Sequence, residues 1–146
     1  MMEGPKSAVF TTVRARDGHL FHLDLHLNRL KKHAAVLGIS IPEIKVPPGL
    51  DGLIRIQVDS NGVVFNSKPF YQEIHMEAEG ITVPAPRWTR KVMGTKHGDW
   101  SPYREITTES FKKGADVALL VHEFCIIDGD RVMPVSYTHL TLPTTD

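Results

Sequence analysis

Gly94-Thr95-Lys96-His97-Gly98-Asp99-Trp100 opens the stretch on which the reading of this chain turns. Ser101-Pro102 follows, in the order of an N-cap and a first helical residue, and the helix so begun is expected to run to about Lys113 and stop at Gly114. Ala115-Asp116 then leads into Val117-Ala118-Leu119-Leu120-Val121, a continuous apolar strand. Cys125-Ile126-Ile127 reads as another strand, with Asp128-Gly129 behind it. A lysine, a capped helix, an apolar strand and an acidic residue before glycine therefore stand in one order along the chain.

Upstream, Ala8-Val9-Phe10-Thr11-Thr12-Val13-Arg14-Ala15 is rich in β-branched and aromatic residues and reads as a strand. Asp17-Gly18 is a hairpin signal, and Leu20-Phe21 would begin the return. Asp24 stands where an N-cap belongs. Leu23, Leu27, Leu30, Ala34 and Leu37 recur at helical spacing, and Gly38 follows as a C-terminal cap. Residues 41–50 carry Pro42, Pro47 and Pro48 and read as a linker or a broken helix. Leu53 to Val58 alternates as a strand, Asn61-Gly62 signals a second hairpin with Val63-Val64-Phe65 returning, and Gln72–Met76 and Gly80–Val83 offer two further strands. Pro84, Pro86 and the run from Arg87 to Lys91 mark a domain boundary, so the expected division is 1–86 and 87–134, in an α+β fold with an antiparallel sheet and helices in the first part.

Composition narrows the field without naming a function. The 146 residues carry 17 basic and 17 acidic side chains in mixed order, with no basic stripe suited to nucleic acid. The apolar runs are too short to span a bilayer, and the start lacks the apolar core of a signal peptide. Cys125 is the only cysteine, which excludes a disulfide framework and reads as an inert core residue. Together these point to a cytoplasmic protein. The histidines carry no metal motif: His22 and His26 lie four apart without an accompanying H-E-x-x-H, so no metal is expected. Trp88 and Trp100 read as packing residues.

Three segments give the chain a resemblance to the class IV (fold type IV) pyridoxal-phosphate (PLP) enzymes, which include branched-chain and D-amino-acid aminotransferases and aminodeoxychorismate lyase. The first is Val9 to Arg14 leading into Phe21-His22-Leu23-Asp24-Leu25-His26-Leu27-Asn28-Arg29-Leu30, similar to the family's opening strand and its H-x-x-R-L helix. The resemblance implies that Arg29 contacts the cofactor phosphate, for which a guanidinium's paired donors suit a dianion. Taken alone, His26, Arg29 and His33 at three- and four-residue spacing read rather as a solvated helix face. Thr11 stands where the family usually has glutamate. The second segment is Leu53 to Val58, which makes Arg55 a candidate ligand for a substrate carboxylate; an outward-facing strand arginine is the alternative. The third is the stretch from Gly94 to Gly129, whose spacing matches the family's Schiff-base lysine at Lys96 and puts Asp128 in place of the usual glutamate partner of the pyridine nitrogen. Alone, Lys96 would be a surface lysine and Asp128-Gly129 a hairpin turn.

The resemblance covers about Val9 to Pro134. It implies PLP as cofactor and transfer of an amino group between an amino acid and a 2-oxo acid. Lys96 would be the catalytic residue, Arg29, Lys96 and Asp128 would bind the cofactor, Arg55 would bind substrate, and the full-length enzyme would be a homodimer. An aminodeoxychorismate-type lyase would use the same lysine, and a non-catalytic α+β binding domain would use none of these groups. The expected Ser/Thr-Asn after the acidic residue and glycine is replaced here by Asp130-Arg131-Val132-Met133-Pro134. Val135 to Asp146 breaks the pattern and resembles the translation of a sequencing-library adapter. The natural frame is therefore expected to be cut near Pro134, leaving a truncated enzyme that by itself is inactive.

Overall fold

The computed structural model describes residues 8–70 and 77–130. The strand expected at Gln72–Met76 and the segment from Arg131 to Asp146 lie outside them. The described residues form two compact units, residues 8–70 with 87–100, and residues 77–86 with 101–130. The sequence suggests one division near Pro86. The chain instead also assigns Arg87–Trp100, Lys96 included, to the first unit.

In the first unit, β1 (Ala8–Arg16), β2 (His19–Leu20), β3 (Gly52–Asp59) and β4 (Gly62–Lys68) form an antiparallel sheet in the order β2-β1-β3-β4. Asp17 and Gly18 both have positive φ, 51° and 78°, which is the twisted two-residue turn that joins right-handed strands without splaying them. The second hairpin closes one residue earlier than expected. Asp59 pairs with Gly62, so Ser60 and Asn61 form the loop, and the Asp59 carboxylate accepts the Asn61 N–H at 2.7 Å. Gly62, at φ 119°, supplies the left-handed step that returns the chain to the sheet.

Strand register decides which residues meet the helix α1 (Leu23–Leu37). Thr11 opposes Ile56 and Val13 opposes Ile54, so Val9, Val13, Ala15, Ile54, Ile56 and Val58 share the inner face, where Leu30 and Ala34 of α1 close the core. The leucine stripe falls where its spacing put it. The helix starts two residues earlier than an Asp24 cap would allow: His22, in a left-handed conformation and without a side-chain capping bond, is the N-cap, and Asp24 lies in the first turn, where its charge suits the helix dipole. Gly38 ends the helix at φ 71°, with the Ile39 N–H bonded to the Ala34 carbonyl at 2.9 Å. No helix forms over residues 41–50. That linker lays Ile41, Ile44 and Leu50 against the core.

The second unit contains β5 (Gly80–Pro84), α2 (Ser101–Lys112), β6 (Val117–His122) and β7 (Cys125–Gly129). β5 runs parallel to β6, and β6 pairs antiparallel with β7. α2 starts and stops where Ser101-Pro102 and Gly114 place it, and Gly114 has φ 80°. Asp128-Gly129 is not a hairpin turn. The turn is Glu123-Phe124, and Asp128 stands in β7 opposite Leu120, beyond a register shift at Leu120/Val121. Cys125 is exposed, not a core residue, because it sits at the start of β7, a strand whose first four residues are all exposed. Among the described residues no helix is long and apolar enough to cross a membrane.

Candidate functional site

The inner face of β1 is apolar except at Thr11, which is fully buried. Its hydroxyl meets the polar stripe of α1. Arg29 donates from a terminal guanidinium nitrogen to Thr11 Oγ1 at 3.0 Å and to His26 Nδ1 at 3.3 Å, while Thr11 Oγ1 lies 2.9 Å from the same His26 nitrogen. If Arg29 fills the threonine's acceptor role, the Thr11 proton goes to His26 Nδ1, which makes this histidine neutral and protonated at Nε2. His26, Arg29 and His33 thus form a hydrogen-bonded and charged ridge on α1, whereas their spacing alone also allowed a freely solvated face.

Lys96 reaches the same ridge from far along the sequence. Turns at Thr89–Val92 and Val92–Thr95 precede it, and Gly94 takes φ 85°. The chain then pairs with β1: the Phe10 N–H donates to the Lys96 carbonyl at 3.0 Å, the Gly98 N–H donates to the Ala8 carbonyl at 2.8 Å, and Val9 bridges to His97. Gly98 is required by this approach, since a Cβ there would collide with the Ala8 side chain. The Lys96 N–H donates to His33 Nδ1 at 3.0 Å. Lys96 is half-buried, and its Nζ lies 5.6 Å from the Phe10 ring centre and 6.0 Å from that of Trp100, while the two rings meet edge to face at 5.4 Å.

Phe10 is on the outer face of the sheet, as is Arg55, because Thr12 opposes Arg55 and Phe10 opposes Gln57. The Arg55 guanidinium carbon lies 3.8 Å from the Phe10 ring centre, and a terminal nitrogen donates to Gln57 Oε1 at 3.1 Å. Stacked and tethered, Arg55 is half-buried and preset instead of waving in solvent. Phe10 therefore meets both cations, Lys96 and Arg55.

The local field is positive. Burial lowers the pKa of His26, helped by Arg29, His22 and Lys96; burial lowers that of His33, helped by Arg29 and Lys96. Burial also lowers His97, against the opposing pull of Asp99; this ring packs edge to face on Trp88 at 4.6 Å. Neutral imidazoles beside fixed cations leave an environment suited to an anion. Among the described residues no group of three or more His, Cys, Asp or Glu converges in a way that would hold a metal.

The structure thus gathers Lys96, Arg29 and Arg55 in the first unit. Asp128 belongs to the second, exposed on β7, with Oδ1 accepting the Gly129 N–H at 2.9 Å. Reading the sequence did not reveal Phe10, Trp100 and His33 as neighbours of Lys96. The one available signal was the recurrence of His33 four residues after Arg29.

The class IV aminotransferase family model matches residues 8–46, from β1 through α1 and into the linker that follows it. None of the curated proteins matches the chain by sequence. Among solved structures, a protein assigned as a 4-amino-4-deoxychorismate lyase is 26% identical, with a TM-score of 0.66 over 86% of this chain and 58% of its own. A hypothetical aminotransferase from Mycobacterium tuberculosis in its PLP-bound form is 17% identical, with a TM-score of 0.63 over 86% of this chain and 56% of its own. The fold IV-transaminase CpuTA1 from Curtobacterium pusillum is 21% identical, with a TM-score of 0.63 over 85% of this chain and 53% of its own. The chain therefore spans somewhat over half the length of these proteins.

Proposed function

We propose that this chain, which belongs to the fold type IV PLP-dependent aminotransferase and aminodeoxychorismate-lyase-like family, is part of an enzyme that moves an amino group between an amino acid and a 2-oxo acid, with Lys96 as the residue that attaches the cofactor. The observation that carries this reading is the pinning of Lys96 to the edge of β1 and to His33, in the same unit as Arg29. An ordinary surface lysine has no need of two backbone anchors some 63 and 86 residues away in sequence.

The residues fit the cofactor's phosphate. Arg29 Nε is buried with no hydrogen-bond partner, a state that costs about 1–3 kcal/mol and that an accepting anion would relieve. Thr11 and His26 hold the guanidinium from one side and so orient it. When bound, PLP supplies an electron sink for charge that develops at the substrate α-carbon. The chain's own contribution is position and proton transfer. Lys96 Nζ, held by its backbone and flanked by two aromatic rings, would take and return the α-proton. Arg55, stacked on Phe10, would grip a substrate carboxylate with paired donors. Asp128 would hold a proton on the pyridine nitrogen, a role supported by its spacing from Lys96 and its place at the end of β7. The partners so implied are an amino acid and a 2-oxo acid, and the working form would be a cytoplasmic homodimer.

Borohydride reduction of the purified protein with PLP, followed by peptide mapping, tests this reading. A phosphopyridoxyl group on Lys96, absent from Lys96→Ala, is expected. Its absence from Lys96 would sink the proposal. The lyase reading draws specific support from the protein assigned as a 4-amino-4-deoxychorismate lyase, at 26% identity. Release of pyruvate from a single substrate, with no amino acceptor present, would favour it over transamination.

A further inference from the structure

The Lys96 amide is an unusual tether. Its carbonyl is fixed by β1, but its N–H is taken by a side chain, His33 Nδ1, from the second half of α1. An imidazole nitrogen can accept a backbone N–H only through its lone pair, so this bond exists only while His33 is neutral and carries its proton on Nε2. A protonated ring would present two donors to a backbone donor, and the bond would become a repulsion.

We propose that His33 is a positioning residue for Lys96: as a neutral acceptor it docks the lysine-bearing segment onto α1 one turn from Arg29, and a single proton at Nδ1 breaks that dock and leaves the segment held by β1. This rests on the reading of Lys96 as the attachment residue. The groups that act on His33 are Arg29, from its own helix, and Lys96, from the segment packed against it; both are cationic and both oppose the proton. β1, on the other side of the ridge, contributes the neutral Thr11. The arrangement holds the dock closed near neutrality and opens it in acid. It also ties the residue assigned to the cofactor's aldehyde to the helix that carries the one assigned to its phosphate.

Asparagine provides the decisive variant, because its Oδ1 lies the same number of bonds from Cβ as histidine Nδ1 and accepts a hydrogen bond without titrating in this range. Two measurements are needed on the protein, His33→Asn and His33→Leu. The first follows the Lys96 amide shift and hydrogen exchange against pH without cofactor. In the wild type the amide should titrate together with the His33 ring, below the ordinary histidine range. In His33→Asn it should stay flat, and in His33→Leu exchange should rise about fivefold at all pH values, the factor that one ordinary hydrogen bond is worth. The second measures borohydride-trapped PLP on Lys96 against pH, where His33→Asn should lose the acid limb and keep the neutral yield. A wild-type amide that does not follow His33, or an acid limb unchanged in His33→Asn, overturns the role of His33 alone. No trapping on Lys96 in the wild type at any pH overturns the attachment reading and, with it, this proposal.

Discussion

The two sheets bury their side chains to very different depths. In the first unit Val9, Val13, Leu30, Ile54, Ile56 and Val58 are all fully buried, and α1 with the 41–50 linker covers one whole face. In the second, Ala118 and Leu120 of β6 are buried, but Ile126 and Ile127 of β7 are about half exposed and Phe124 is fully so. A strand pays its ordering entropy through the faces it covers. The first sheet therefore has a core of its own, while β7 is held mainly by backbone pairing with β6. The residues that would carry chemistry follow the same division: the cations belong to the unit with the well-packed sheet and the one carboxylate stands on the sparsely packed sheet of the other.

That contrast can be broken by substitution. Ile56→Ala should destabilise the first unit by about 2–5 kcal/mol, the range for truncating a buried aliphatic side chain. Ile126→Ala, half in water, should cost under about 1 kcal/mol. Denaturant titration with residue-resolved hydrogen exchange would read both, and equal losses would contradict the picture of unequal cores. Thr11→Val keeps the shape but removes the hydroxyl that accepts from Arg29, and it should cost about 1–3 kcal/mol, since that guanidinium nitrogen keeps only its longer bond to His26. It should also weaken PLP binding, measured by absorbance titration. In the second unit, Phe124→Gly should stabilise by about 1 kcal/mol, because Phe124 sits at φ 67° in a turn that favours glycine, and its side chain covers nothing.

Acid should separate the units most gently. His26 and His33 have folded pKa values below the ordinary 6.5, so as pH falls past 6.5 the unfolded chain takes up protons that the folded one refuses. Stability of the first unit should decline through that window, and level once the folded rings protonate. The second unit contains Glu109, lowered by its bond to Lys112, whose small contribution is present above 4.5 and lost as pH falls through its lower folded value. Exchange rates that soften in the first unit before the second on acidification would match; the reverse order would not.

Features with a local cause were legible in the sequence. The Asp17-Gly18 hairpin, the leucine stripe with its Gly38 stop, and the helix from Ser101-Pro102 to Gly114 are each written in adjacent residues. His22 replaced Asp24 as the cap because a left-handed histidine turns the chain into the helix, and no propensity scale anticipates that. The return of residues 96–98 to the edge of β1 was not legible at all, since pairing between distant segments leaves no periodicity in either. Resemblance made Lys96 a candidate, but the contacts of Lys96 with Phe10, Trp100 and His33 depend on register and could be seen only once the strands were aligned.

The pairing of β1 with the Lys96 segment also has a cost in time. The edge of β1 leaves the ribosome early, and the residues that cover it follow about 90 residues later. At about 5–20 residues per second, that edge stays open for roughly 4–18 s, with Val9 and Phe10 available to any other extended chain. The nascent protein is thus exposed to wrong partners at the strand that will later hold the Lys96 segment.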